Sequence, residues 1–282
     1  MTGTREIWTG ALTAAAIALS GAAAESQPRA AGAPTYADLA DLALAAPVAA
    51  EVSVARATVL KPDRSPGVRP GFARFYVEAA LVSLIRAPQS LPARLAYLVD
   101  LPRDAKGKPP KLRKGARMLL LAAPVAGKAG ELQLVAPDAQ LEASTENMTR
   151  VRAIVREATS AVAPPRITGI GRAFHVPGAI LGESETQIFL QTAQGSPVSL
   201  TILRRPGQTA QWAVALGEIV DESAAPPEPG TLLWYRLACG LPAAMPRQSL
   251  AEGDAEAARA IVADYRLVLD RLGPCTRTRP RP

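Results

Sequence analysis

The sequence predicts a mainly β protein with flanking helices (α+β). Short apolar segments with a two-residue alternation recur in both halves of the chain, which is typical of strands with one buried face. Two longer stretches, one in each half, instead carry apolar residues at helical spacing. Because Pro164 and Pro165 stop the first of these helices, we place a domain boundary there. The predicted domains are residues 35–163 and 164–275, followed by a basic tail over 276–282.

The predicted first domain begins and ends with a helix. Thr35 and Asp38 have the spacing of a capping box, apolar residues follow at helical spacing, and Pro47 ends the first helix. Ser144 is the predicted N-cap of the closing helix, whose apolar stripe extends from Met148 to Val162. Between the helices lie the strand candidates 52–60, 75–85, 94–101, 118–121 and 131–134. The segment 118–121 is continuously apolar and therefore indicates a strand covered on both faces.

The predicted second domain is an antiparallel β meander closed by a C-terminal helix. A type II turn, with Pro206 and Gly207 in the positions that this turn prefers, joins two of its strands. The last helix has a predicted capping box at Ser249 and Glu252, and Gly273 ends it. The strand candidates of this domain are 187–192, 198–204, 212–219 and 231–238.

A resemblance to a known fold covers residues 36–160. The segments PVAAEVSVARATVL, FYVEAALVSLIRAP and LRKGARMLLLAAP resemble, in their spacing, the OB-like barrels of netrin-like and metalloprotease-inhibitor modules and similar exported bacterial modules. The resemblance implies a small OB-like barrel. Those inhibitors present an N-terminal cysteine to a zinc ion, whereas this chain has no cysteine before Cys239. Protease inhibition is therefore not carried over, and the second half resembles no named functional family.

The first 24 residues have the layout of a secretory signal peptide. Arg5 supplies the positive charge, an apolar stretch follows over about residues 11–19, and small residues precede a predicted cleavage after Ala24. The apolar run of about 15 residues is too short for a spanning helix, which needs roughly 20. We therefore expect a periplasmic or secreted protein with no transmembrane segment in its mature chain, and a disordered leader over residues 25–34.

The two cysteines, Cys239 and Cys275, are predicted to form one disulfide bond. An even number of cysteines in an oxidising compartment favours this pairing. Two free thiols and a two-ligand metal site are the alternatives. Because the single histidine is remote in sequence and no CxxC motif is present, the chain offers little for a zinc site. We expect neither a metal ion nor another cofactor.

His175 is the only histidine in the chain, and we interpret it as structural. Ser184 is the nearest nucleophile in sequence, but it does not lie in the G-x-S-x-G motif of a hydrolase, and Asp221 could orient the histidine only through folding. The pair Gly169 and Gly171 lacks the later glycine, the lysine and the following helix of a phosphate loop. The sequence therefore predicts no catalytic residue.

The positive charge of the chain, which is +7 overall, is concentrated in one segment and in the tail. Residues 103–117 contain seven positive residues and one acidic residue. Such a segment is either a solvated loop or a binding site for anionic lipid head groups, acidic polysaccharide or an acidic protein face. No aromatic residues are interleaved with the charges, so nucleic acid is not expected. The residues of this predicted anionic-partner patch are Arg103, Lys106, Lys108, Lys111, Arg113, Lys114 and Arg117.

Three functions are compatible with these features. The first is a non-catalytic exported protein of the envelope that acts in binding or assembly. The alternatives are a hydrolase with a dispersed, unrecognised site, and a basic adaptor for anionic envelope polymers or lipid head groups. A convergent polar pocket around His175 would favour the hydrolase, and a flat basic patch would favour the adaptor.

Overall fold

The computed structural model describes residues 34–217, 225–250 and 254–279. The predicted signal peptide, and the predicted leader except Pro34, lie outside these ranges. The mainly β class with flanking helices is confirmed. In chain order the helices and strands are α1 (Tyr36–Ala45), β1 (Val48–Val59), β2 (Phe72–Arg86), β3 (Arg94–Pro102), β4 (Arg117–Pro124), β5 (Glu131–Leu134), β6 (Gln140–Glu142), α2 (Thr145–Ala158), β7 (Ile167–Pro177), β8 (Ser184–Thr192), β9 (Val198–Arg204), β10 (Gln211–Ala215), α3 (Leu232–Ala238) and α4 (Ala255–Leu272).

Strands β1 to β5 form a closed five-strand barrel. Neighbouring strands follow the order β1-β2-β3-β5-β4, and the pairing of β4 with β1 closes the barrel. The pairs within the barrel are antiparallel except β3 with β5, which is parallel. Strand β6 extends the sheet by pairing with β4. This topology is compatible with an OB-like barrel.

Strand β4 is covered on both faces, as its continuous apolar run predicts. Leu120 and Ala122 point into the barrel, where they join its interior cluster. Leu119 and Leu121 pack on the opposite side against α1 and α2. All four residues have no exposed surface. The barrel and its two helices therefore share one strand as their common wall.

The start of each helix of the first half is confirmed, but the predicted end of α2 is wrong. At α1, Asp38 N–H donates to Thr35 Oγ1 at 3.1 Å, and Thr35 N–H donates to the Asp38 carboxylate at 2.8 Å. Ser144 caps α2 as predicted. The helix ends at Ala158, because the Thr159 hydroxyl donates back to the Val155 carbonyl at 2.8 Å. Val162, which we expected to lie in the helical stripe, is 80% exposed.

The second sheet has four antiparallel strands in the order β10-β9-β8-β7. Strands β8, β9 and β10 confirm the predicted meander, although β10 ends at Ala215. Strand β7 was not predicted, because Gly169 and Gly171 interrupt its apolar pattern. The pairing of β7 with β8 also shifts register between Ile170 and Ala173, so that its alternation is broken. Helix α4 covers this sheet with a buried face that includes Ile261 and Tyr265.

The prediction of a strand over residues 231–238 is wrong, because this segment forms helix α3. Thr231 caps the helix by accepting a hydrogen bond from Trp234 N–H at 3.2 Å. Tertiary contacts of the two aromatic residues stabilise this helix. Trp234 Nε1 donates to the carbonyl of Leu272 at 2.8 Å, and the Tyr235 hydroxyl donates to Asp41 of α1 at 2.5 Å.

The predicted start of the last helix is also wrong. Its N-cap is Asp254, whose carboxylate accepts hydrogen bonds from the N–H groups of Glu256 and Ala257. Ser249 lies in a short 3₁₀ turn, and its hydroxyl donates to the carbonyl of Ile170 in β7 at 3.3 Å. The capping-box spacing at Ser249 therefore indicated a position that precedes the actual N-cap, Asp254. Among the residues that the structure describes, no helix has the length and apolar character needed to cross a bilayer.

The two cysteines lie at bonding distance. Cys239 is the C-cap of α3, not the end of a strand as predicted, and Cys275 follows α4. Their Sγ atoms are 2.00 Å apart and their Cα atoms 5.1 Å apart. A bond across this separation of 36 residues constrains the unfolded chain and contributes about 4 kcal/mol on the chain-entropy model. The bond fixes where the segment after α4 begins.

That segment, residues 275–279, crosses to helix α1, and we call it the C-terminal strap. Its Thr278 donates to the Asp38 carboxylate with both its N–H, at 3.1 Å, and its hydroxyl, at 2.7 Å. The N–H of Arg279 adds a third bond at 3.2 Å. Arg277 Nε forms an ion pair with Asp41 at 2.6 Å. The strap therefore satisfies two carboxylates of α1 whose side chains are almost fully buried.

We predict that Asp38→Asn destabilises the protein and flattens its acid dependence. Burial raises the pKa of the Asp38 carboxyl, but the hydrogen bonds from Thr278 and Thr35 outweigh it and lower this pKa below its ordinary value. A lowered folded-state pKa contributes stability above the unfolded pKa, and this contribution is lost as the pH falls through the folded value. The side-chain NH₂ group of an asparagine would face the donors of Thr35 and Thr278, which should lower the free energy of unfolding by roughly 1–3 kcal/mol.

The measurement is urea unfolding of both proteins between pH 7 and pH 3. The wild type should lose more of its free energy of unfolding than the variant as the pH falls. Asp63→Asn, at an exposed position, is the matched control and should follow the wild type. Parallel pH profiles for wild type and Asp38→Asn would contradict the role given to this carboxylate.

Candidate functional site

The predicted cationic segment forms the loop between β3 and β4. Asp104 orders its first turn by accepting the N–H groups of Lys106 at 2.9 Å and Lys108 at 2.8 Å. At its other end, Gly115 N–H donates to the carbonyl of Val54 at 2.7 Å. The side chain of Leu112 packs against the barrel interior. The loop is thus attached to the barrel by its backbone and by one apolar side chain.

Two of the seven predicted patch residues have partners within the fold. Arg103 donates to the carbonyls of Phe72, at 3.1 Å, and Gly107, at 3.0 Å. Arg117 forms an ion pair with Glu51 at 2.8 Å. Although burial acts to raise it, the pKa of the Glu51 carboxyl is lowered by the hydrogen bonds from Arg117 and Ser83. Arg103 and Arg117 therefore hold the two ends of the loop.

The other five patch residues are exposed. Their side chains form no ion pair with any residue in the described part of the chain. They lie on a single loop without an intervening acidic residue, so their charges add at the surface instead of cancelling. These five are Lys106, Lys108, Lys111, Arg113 and Lys114.

The loop between β1 and β2, residues 60–71, lies beside this one. Arg103 N–H donates to the carbonyl of Gly71 at 2.8 Å, which places the two loops at the same end of the barrel. Lys61, Arg64 and Arg69 are exposed on the second loop. We call residues 60–71 and 103–116 together the cationic loop pair.

Sequence reasoning missed the contribution of the 60–71 loop. Its basic residues are visible between the first two strand candidates, and they are the signal that could have found it. Their proximity to the other loop depends on the barrel register, which the local pattern does not contain. The same limit explains why the internal partners of Arg103 and Arg117 were not predicted.

The basic tail does not contribute to this surface as free charge. Arg277 pairs with Asp41, and Arg279 Nη1 lies 3.2 Å from the carboxylate of Asp138. The side chains of both arginines are 19% exposed. Arg281 lies outside the described residues. The tail arginines that the structure describes therefore stabilise the fold.

His175 belongs to a polar cluster that connects β7, β8, β9 and α4. Its Nδ1 lies 2.8 Å from the hydroxyl of Thr186, which donates in turn to Asp264 at 2.5 Å. Arg204 completes the cluster, because its Nε donates to the other oxygen of Asp264 at 2.7 Å. Since the single hydroxyl proton goes to the carboxylate, Thr186 can only accept from His175, which therefore carries its proton on Nδ1.

This geometry supports a structural role for the cluster. A catalytic hydroxyl must be reachable by substrate and must give its proton to a base. The Thr186 side chain has no exposed surface, and its proton points to Asp264, not to His175. Ser184 lies at the start of β8, and Asp221 lies outside the described residues. The hydrogen bonds satisfy a carboxylate that is 1% exposed and attach α4 to the sheet.

No protein-family model matches the chain, and no curated protein sequence matches it either. The OB-like barrel therefore rests on strand order and closure, and the netrin-like or inhibitor type has no support from relatives.

We predict that Thr186→Val lowers the free energy of unfolding by roughly 1–3 kcal/mol, because it leaves a buried oxygen of Asp264 without a donor. His175→Gln should have a smaller effect, since the histidine is only partly buried. Chemical unfolding measures both variants, and Thr58→Val, at an exposed position of β1, is the control. A Thr186→Val protein as stable as the control would contradict the structural role of the cluster.

Proposed function

We propose that the protein is an exported, non-catalytic binding module of the cell envelope and that its cationic loop pair binds an anionic surface. The observation that carries this proposal is the row of five exposed basic residues on the 103–116 loop, with three more on the neighbouring loop. Together the two loops carry these eight exposed basic residues and only two acidic ones, Asp63 and Asp104, so the surface has a strong positive excess. The OB-like barrel serves as the rigid support from which the loops project.

The attachment of the loop supports binding over simple solvation. Like charges that are close in space repel one another, and a free loop would separate them. Here the backbone bonds of Gly115 and Asp104, together with Leu112, limit that separation. An approaching anionic surface relieves the repulsion. Each basic residue near an anionic membrane surface contributes about 1 kcal/mol, and the attraction falls off within a Debye length.

The chemistry of the loops favours dense phosphate or carboxylate groups as the ligand. Neither loop contains an aromatic residue on which a base could stack, so single-stranded nucleic acid is not the preferred class. Anionic phospholipid head groups and acidic polysaccharides both present closely spaced negative charges. Export is supported by the layout of residues 1–24 and by the cysteine pair at bonding distance, which suits an oxidising compartment.

We predict that the chain from Glu25 onward co-sediments with vesicles containing phosphatidylglycerol and not with pure phosphatidylcholine vesicles. The chain starts at Glu25 because the apolar stretch before it would itself enter vesicles. Replacing the five exposed basic residues of the 103–116 loop with glutamine should weaken binding at least tenfold, at about 1 kcal/mol per charge. Raising the salt concentration should weaken wild-type binding as well, since the contacts are exposed.

The control is a variant of equal net charge in which five exposed arginines outside the loop pair are replaced by glutamine. They are Arg94, Arg172, Arg247, Arg259 and Arg266. Binding of this variant should remain within a few-fold of wild type. A soluble polyanion, heparin, competes if charge density alone is recognised and fails to compete if the lipid surface is required. Equal binding of both charge variants would show that the loop pair is not the binding surface.

A further inference from the structure

A cleft of about 630 Å³ opens between α1, α3 and the start of β7. Asp41 and Leu44 line it from α1, Arg166 and Thr168 from the β7 side, and Arg236 from α3. Its volume lies within the range of roughly 300–1,000 Å³ that is usual for small-molecule sites. The cleft contains two arginines and one acidic residue. The hydrogen bonds and ion pairs that these three side chains already form determine which charge the cleft presents to a ligand.

The carboxylate of Asp41 is already satisfied. It accepts the hydroxyl proton of Tyr235 at 2.5 Å and pairs with Arg277 at 2.6 Å. Burial, together with the bond to this carboxylate, raises the pKa of Tyr235 to about 12, so that the phenol keeps its proton and remains a donor. Asp41 is thus neutralised by Arg277 and does not compensate the arginines of the cleft.

Of the two cleft arginines, Arg236 is the more buried and, within the described part of the chain, has an unsatisfied hydrogen-bond donor. Its Nε is buried and has no hydrogen-bond partner among the described residues, and its guanidinium lies 5.9 Å from the ring centroid of Tyr235. Burial lowers the pKa of Arg236, Tyr235 opposes this shift, and the nearby positive charge of Arg166 lowers the pKa further. No carboxylate in the described part of the chain lies within ion-pair distance of either guanidinium.

Two neighbouring guanidinium groups that have no carboxylate partner among the described residues are unfavourable in a protein cleft. Like charges oppose one another, and although Arg166 is exposed, the partial burial of Arg236 removes water that would screen its charge. The planar donor fork of arginine matches the two oxygens of a carboxylate or the oxygens of a phosphate. The missing interaction is therefore the one that an oxyanion would supply.

We propose that this cleft binds a small oxyanion ligand, a molecule whose carboxylate or phosphate group lies between Arg166 and Arg236. The lining beside the two arginines includes apolar groups that can contact a short carbon skeleton, namely Leu44, Ala45 and Ile167. The site is separate from the cationic loop pair and uses none of its residues. Binding here requires neither export nor a membrane.

The test is calorimetric titration of the full chain with inorganic phosphate and, separately, with succinate, at constant ionic strength set by sodium chloride. We expect binding of one molecule per chain for at least one of these probes, and the stronger probe identifies the preferred group. Arg236→Gln and Arg166→Gln should each weaken binding at least tenfold. Arg172→Gln, which removes an exposed arginine of β7, is the matched control and should bind as the wild type does.

Thermal unfolding provides a second readout that a purely structural arginine would not give. Without added anion, Arg236→Gln should melt at or above the wild-type temperature, because an uncompensated buried donor is removed. The bound probe should raise the melting temperature of the wild type and leave that of Arg236→Gln unchanged. A lower melting temperature for Arg236→Gln, no binding at tens of millimolar of either probe, or equal binding by all variants would overturn the proposal.

Discussion

The burial of two carboxylates on helix α1 is the constraint on which much of the structure depends. Asp38 and Asp41 lie in the first two turns of a helix that packs against the barrel wall, where unsatisfied carboxylates would be costly. Thr35 and Tyr235 each donate one hydrogen bond to them, and the remaining donors come from the C-terminal strap, which begins at Cys275 and is separated from α1 by most of the chain. Satisfying these two groups therefore joins the first helix to the last.

Helix α3 also connects helix α1 to the C-terminal strap, and it contacts helix α2. Its Tyr235 donates to Asp41, and the N–H of Leu232 donates to Glu157 of α2 at 2.8 Å. Cys239 at its end is bonded to the strap. The cleft between α1, α3 and β7 lies beside this arrangement: Asp41, which lines it, is paired with Arg277 of the strap, and no carboxylate of the described residues forms an ion pair with Arg166 or Arg236. A contact that stabilises the fold thus also sets the charge of the candidate anion site.

Local pattern predicted the parts of the fold that local physics determines, such as the capping box of α1, the doubly covered strand β4 and the meander β8–β10. It failed where tertiary contacts decide. The local pattern of α3 is compatible with a strand, and the helix is stabilised by the tertiary hydrogen bonds of Trp234 and Tyr235. Strand β7 lacks a regular alternation because of its glycines and its register shift. The basic loop was visible in the sequence, whereas the cleft draws its residues from three distant segments and could not be seen there.

The most direct test of this account is native-state hydrogen exchange on a chain that ends after Cys275 and so keeps the disulfide but lacks most of the strap. We expect the amides of α1, including Leu39 and Leu42, to exchange at least tenfold faster than in the full chain, because Asp38 loses the donors of Thr278 and Arg279 and Asp41 loses its ion pair with Arg277. The amides of β8 and β9, which do not contact the strap, should keep their protection. Unchanged exchange throughout α1 would contradict the claim that the strap holds this helix in place.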